Sequence, residues 1–107
     1  MFRKPKVVDI DVREAFRRVE EENAVIVDVR EDEEVREVSV PGSLHIPLAQ
    51  LAMKGDGLPH DRDLLLLCRS GNRSALATEM LARNGFERAA NVSGGIIAWH
   101  QASLPIQ

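Results

Sequence analysis

The chain lacks the features that staple, anchor or tail a protein. Its 107 residues include a single cysteine, so no disulfide can form within it; a stapled secreted scaffold is excluded and a reducing, cytoplasmic setting is the expectation. No run of about 18 apolar residues is present, so no membrane-spanning helix is expected. The basic start (Arg3, Lys4, Lys6) is not followed by the apolar stretch of a signal peptide. No block of like charge occurs either. The formal net charge is -3 with Lys and Arg dispersed, so neither a nucleic-acid tail nor a membrane partner is expected. His45, His60 and His100 are scattered without ligand spacing, and no metal is expected. Repeats, low-complexity tracts and Gly/Ser linkers are missing, so residues 1–107 are expected to form one domain.

The remaining composition is ordinary for a globular protein, 44% hydrophobic and 29% charged. A domain this small buries roughly 60 to 70% of the surface its unfolded chain exposes, enough for one modest core. Any active site is then a shallow pocket at the edge of that core.

The order of elements predicts an α/β fold with a largely parallel sheet. Val7-Val8 reads as a short strand, and Asp9 or Asp11 can cap a helix carrying Val12, Ala15, Phe16 and Val19 at helical spacing. Residues 24–29, apolar except for Asp28, and residues 63–68, built on four consecutive leucines, read as strands covered on both faces. The acidic run 31–37, which includes Arg36, reads as a solvated helix face. The Pro41-Gly42 turn, Ile46-Pro47, a short helix over 48–53 and a loop over 55–59 make an irregular connection. A helix beginning near Arg73 places Leu76, Ala77, Met80 and Leu81 on one apolar face, and Asn84-Gly85-Phe86 closes it with Gly85 left-handed. A weak strand over 89–92 precedes a last helix opened by Gly94-Gly95, in which Trp99 packs against the sheet.

The informative run is Cys68-Arg69-Ser70-Gly71-Asn72-Arg73-Ser74. In an open α/β sheet ligands gather beyond the carboxyl ends of the strands, and the leucine strand delivers the thiol to that edge. The following helix points unpaired N–H groups and its positive end at the sulfur. Helix N-termini and nearby cations bring a cysteine pKa from about 8.5 to roughly 3.5–7.5, and Arg69 and Arg73 push the same way if they fold inward. Gly71 allows successive amides to converge as an anion nest. Such a nest suits a persulfide sulfur, a sulfite-like leaving group or a phosphate. Four residues separate Cys68 from Arg73; cysteine phosphatases place five there, so the narrower ring favours sulfur. The plain alternative is a buried structural cysteine, which the Gly71 turn, the arginines and the helix together disfavour.

From about Ile10 to Ile106 the chain resembles a rhodanese domain. Val27-Asp28-Val29-Arg30-Glu31 is similar to that family's aspartate-valine-arginine signature, and Val40-Pro41-Gly42-Ser43 with Ile46-Pro47 to its proline-glycine turn. Cys68 to Ser74 resembles the active loop, and residues 81–86 with Ser93-Gly94-Gly95-Ile96 and Trp99 its C-terminal signature. The resemblance implies an open parallel sheet of about five strands with helices on both faces. It also implies a sulfurtransferase in which Cys68 alternates between thiolate and persulfide. The small sulfur donor would be thiosulfate or a persulfide, and the acceptor a thiol of a small molecule or of a protein. No cofactor is implied.

On that resemblance the backbone of Arg69, Ser70, Gly71, Asn72 and Arg73 holds the persulfide, Arg30 is an anion contact at the pocket rim, and Ser74 supports the loop. A brace between Asp28 and Arg73 is a further expectation. Two departures stand out: Val38-Ser39 replaces the glycine-histidine that often precedes the turn, and Ser70 replaces a lysine frequent in thiosulfate sulfurtransferases. One cation fewer weakens attraction for a dianion. Competing expectations are a regulatory or redox-sensing binding domain and a small cysteine phosphatase or arsenate reductase.

Overall fold

A computed structural model describes residues 6–107, so Arg3 and Lys4 of the basic start lie outside the described residues. Five strands form one parallel sheet in the order β1-β5-β4-β2-β3: β1 (Asp9–Ile10), β2 (Val25–Asp28), β3 (Leu44–His45), β4 (Leu64–Leu67) and β5 (Ala89–Val92). The helices are α1 (Val12–Glu22), α2 (Asp32–Glu37), α3 (Leu51–Lys54), α4 (Asn72–Arg83) and α5 (Gly95–Gln101). None of the helices among the described residues is long and apolar enough to cross a membrane.

Successive strand residues point to opposite faces, and the sheet therefore feeds two cores. Ile26, Leu65, Leu67, Ala90 and Val92 pack with Val12 and Ala15 of α1 and Ile96 and Trp99 of α5. Val25, Val27, Leu64, Leu66 and Ala89 pack with Leu51 of α3 and Ala77 and Leu81 of α4. This is why β2 and β4 read as unbroken apolar runs instead of alternating. Each fully buried leucine of β4 contributes about 1.5–3 kcal/mol by removal from water.

Local chemistry sets the ends of these elements. Asp11 caps α1 by accepting the Glu14 amide at 2.8 Å, while Asp9 lies in β1. Trp99 meets Phe16 edge-on at 5.9 Å and donates its indole N–H to the Pro105 carbonyl at 2.7 Å. The left-handed Gly85 (φ 90°) ends α4, with Phe86 buried and its amide on the Leu81 carbonyl.

Several expectations shift. The first strand is Asp9–Ile10, not Val7-Val8, because its pairing register is Asp9 with Asn91 and Ile10 with Val92. The irregular connection contains a short strand, β3, and two 3₁₀ turns, Leu48–Gln50 leading into α3 and Gly55–Gly57 within the expected loop. The buried face of α4 is Ser74, Ala77, Thr78 and Leu81, and Leu76 is half exposed. The polar Ser74 takes an inward position because it faces the sulfur and Asn91, and the buried Thr78 hydroxyl is satisfied by donating to the Ser74 carbonyl at 2.7 Å.

Candidate active site

The leucine strand β4 ends at Leu67 and delivers Cys68 to the carboxyl edge of the sheet, between its neighbours β2 and β5. The chain then curls through Gly71, left-handed at φ 111°, directly into α4. A Cβ at Gly71 would lie 3.3 Å from the Gly94 amide nitrogen, so both space and backbone geometry favour glycine.

The start of α5 shapes the loop from outside. The Ile96 and Ile97 amides donate to the carbonyls of Cys68 and Arg69, at 2.9 and 3.2 Å. Because the peptide unit is planar and trans, fixing those carbonyls outward turns the next amides the opposite way. Gly95 makes this approach possible: a Cβ there would stand 2.5 Å from the Cys68 carbonyl oxygen.

Inside the ring, the Gly71 amide donates to Cys68 Sγ at 3.1 Å, and the Ser74 hydroxyl lies 3.2 Å from it. Cys68 is only 1% exposed. Burial pushes its thiol up, but the Ser74 hydroxyl and the amides of Ser74, Gly71 and Ser70 together outweigh that and hold it below its ordinary value. The donors sit at the positive end of a three-turn helix, which adds in the same sense. Ser74 is itself fully buried, with its Oγ 2.6 Å from Asn91 Oδ1.

The two expected arginine roles are rearranged. Arg73 does not brace the loop through Asp28; it forms a bidentate pair with Glu34 of α2, at 2.7 and 2.8 Å. That guanidinium holds the Glu34 carboxyl down to about 2. Asp28, wholly buried, instead takes the Arg30 guanidinium at 2.8–3.2 Å and the Arg30 amide at 3.0 Å. Arg30 does line the cavity beside the loop, but its charge is paired and not free. It is 2% exposed, and its remaining N–H groups face the carbonyls of Val38 at 2.7 Å and Glu34 at 3.4 Å. The exchange has a simple cause: Asp28 and Arg30 leave one strand end together and meet within two residues, whereas Arg73 enters from another helix and finds the acid that α2 presents.

Of the expected loop residues, Gly71 and Ser74 converge on the sulfur, while the side chains of Arg69, Ser70 and Asn72 are exposed. Beside the loop a cavity of about 310 Å³ is lined by Arg69, by Ile96, Ile97 and Ile106, and by Glu34 and Glu37. Glu34, Asn91 and the tight approach of Gly95 were not anticipated as site residues. Glu34 sat among several acids of equal appearance, but Asn91, the one polar residue in an otherwise apolar strand, carried a usable signal. Together these groups give a buried sulfur whose ionisation is favoured by neutral donors, on a loop that borders a cavity at Arg69.

Known proteins share this plan. The rhodanese-like domain model matches residues 11–102. A sulfurtransferase of Allochromatium vinosum is 36% identical over 101 residues, covering 94% of each chain. The thiosulfate sulfurtransferase GlpE of Vibrio cholerae is 31% identical over 98 residues, covering 92% of each. The crystal structure of a rhodanese-related protein from Thermoplasma volcanium superposes with a TM-score of 0.86 at 30% identity, covering 94% of this chain and 97% of its own. With a family match that spans nearly all the described strands and helices, and a cysteine loop seated where the sheet order opens, this chain belongs to the rhodanese-like domain family.

Proposed function

We propose that the chain is a sulfurtransferase that moves sulfane sulfur from a small donor to a thiophilic acceptor through a persulfide on Cys68. The carrying observation is the convergence of the Gly71 amide and the Ser74 hydroxyl on a buried sulfur at a helix start. A thiolate held there attacks the outer sulfur of thiosulfate. A new S–S bond forms as the donor's own breaks, and sulfite leaves with the electron pair. In the second step cyanide or an external thiolate attacks the terminal sulfur, and Cys68 departs again as thiolate. No general base is needed once the thiol is ionised.

The persulfide's outer sulfur is held by loop amides, with Ser70, Gly71 and Asn72 at the helix start and Arg69 at the mouth. Arg73 acts through Glu34, and Arg30 through Asp28, as supports of the loop. The chain holds one cysteine, so the acceptor thiol comes from another molecule, and a reducing cytoplasmic setting suits that exchange. A phosphatase reading would need the loop arginine turned onto the anion, whereas Arg73 is engaged by Glu34 on both terminal nitrogens.

Incubation with thiosulfate followed by intact-mass measurement is expected to add one sulfur atom to the wild type and none to Cys68→Ser. Ser70→Lys, which restores a cation at the loop, is expected to load faster from thiosulfate. No adduct from thiosulfate or from a persulfide donor, with the thiol still alkylatable, would discard the reading.

A further inference from the structure

A serine hydroxyl carries one hydrogen, yet Ser74 Oγ has two neighbours that can accept it: Cys68 Sγ at 3.2 Å and Asn91 Oδ1 at 2.6 Å. It cannot serve both at once. The orientation of the Asn91 amide decides the resting arrangement. Its Nδ2 lies 2.9 Å from Asp9 Oδ1, and an ionised carboxylate only accepts, so the amide nitrogen faces Asp9 and the amide oxygen faces Ser74. That oxygen also only accepts. The 2.6 Å contact therefore uses the Ser74 hydrogen, and with the thiol protonated Ser74 is left to accept the S–H.

We propose that Asn91, oriented by Asp9, is a positioning residue that competes with the sulfur for the Ser74 hydrogen and so opposes formation of the Cys68 thiolate. When the thiol proton leaves to solvent or to an incoming base, the sulfur anion needs donors. The Gly71 amide is already in place; the Ser74 hydroxyl swings its hydrogen from Asn91 to Sγ. Asn91 Oδ1 then loses its partner at a site where Ser74, Cys68 and Asn91 are 0, 1 and 4% exposed, and an unpaired buried acceptor is costly. Once Sγ bonds the transferred sulfur it is no longer anionic, and the hydrogen returns to Asn91. The proposal rests on the sulfur-transfer reading only for that last step; the competition itself does not need it.

The charged groups around the relay are mostly committed elsewhere. Arg73 of α4 is engaged by Glu34 of α2, Asp28 at the end of β2 by Arg30, and the Asp9 carboxylate of β1 holds the Asn91 amide, with Arg69 exposed on the loop. A neutral hydroxyl and a neutral amide thus decide how readily the sulfur ionises.

The test is the rate of Cys68 alkylation by iodoacetamide against pH, on the intact chain. The variants are Asn91→Leu and the exposed, conservative Asp9→Asn, which allows the Asn91 amide to turn over and donate to Ser74. Each is measured with and without Ser74→Ala. With Ser74 present, both are expected to lower the inflection and raise the rate constant below it by roughly three- to tenfold. In the Ser74→Ala background neither is expected to move the profile. An unmoved profile with Ser74 present, or an equal shift without it, which would mark a charge effect of Asp9 alone, overturns the proposal. If Asn91→Leu does not fold, Asp9→Asn decides the matter. Loss of sulfur loading with the alkylation pattern intact would count against sulfur transfer and not against the relay.

Discussion

The two sides of the cysteine loop are built from opposite materials. On the α4 and β5 side the sulfur meets only neutral donors, the Gly71 amide and the Ser74 hydroxyl. On the α2 side two full ion pairs, Asp28 with Arg30 and Glu34 with Arg73, hold the loop's flank to the end of β2. The difference separates two tasks. Formal charges, already paired, fix the geometry and leave little net field, while fixed dipoles aimed at one atom stabilise the charge that appears and disappears there. A free arginine inside so small a ring would hold the anion in place, whereas amides can release it.

If this division is right, removing a charge should cost stability first. The largest effect is expected for Asp28→Asn, which leaves the buried Arg30 guanidinium without its counter-charge. The expected loss is about 3–5 kcal/mol of unfolding free energy, read from denaturant melts. A loss under about 1 kcal/mol would mean that the pair is solvated and contributes little to holding the loop.

A smaller change sharpens the same contrast. Glu34→Gln keeps the shape of the brace but not its charge, and it is expected to cost about 1 kcal/mol at neutral pH, because the pair is partly exposed. The folded Glu34 carboxyl is held at about 2, below the roughly 4.3 of an unfolded glutamate. The stability it adds is therefore complete above pH ~4.3 and is lost as pH falls towards the folded value. The gap between wild type and Glu34→Gln should close over that acid range in melts taken at successive pH values. A gap that is constant or widens with acid would assign the brace to packing instead of charge.

Much of this architecture is readable in the residues. Four successive leucines read as a strand covered on both faces, which β4 is, and a cysteine at its end followed by glycine and a helix marks the candidate site. What escapes is whatever depends on how elements dock. Glu34 is one acid in a run of similar acids, and only the seating of α2 against α4 singles it out. The sequence allows Asp28 to pair with Arg73, yet the bend at the end of β2 brings Arg30 to it first. Leu76 fits a helical apolar stripe, but the helix rotates to bury Ser74, whose hydroxyl meets the sulfur and Asn91, and Thr78, whose hydroxyl is satisfied by the Ser74 carbonyl. The first strand moved by two residues for a similar reason: short edge strands take their register from the neighbour, here β5.

The central claim is that main-chain and hydroxyl donors outweigh burial and hold the Cys68 thiol below its ordinary value. The most direct measurement is the apparent pKa of that thiol in the wild type, from the pH dependence of its thiolate absorbance, alongside Ser74→Ala. The account predicts an inflection below the roughly 8.5 of a free cysteine, moving upward in Ser74→Ala. A wild-type value at or above that of free cysteine would contradict it, since desolvation would then have prevailed over the donors.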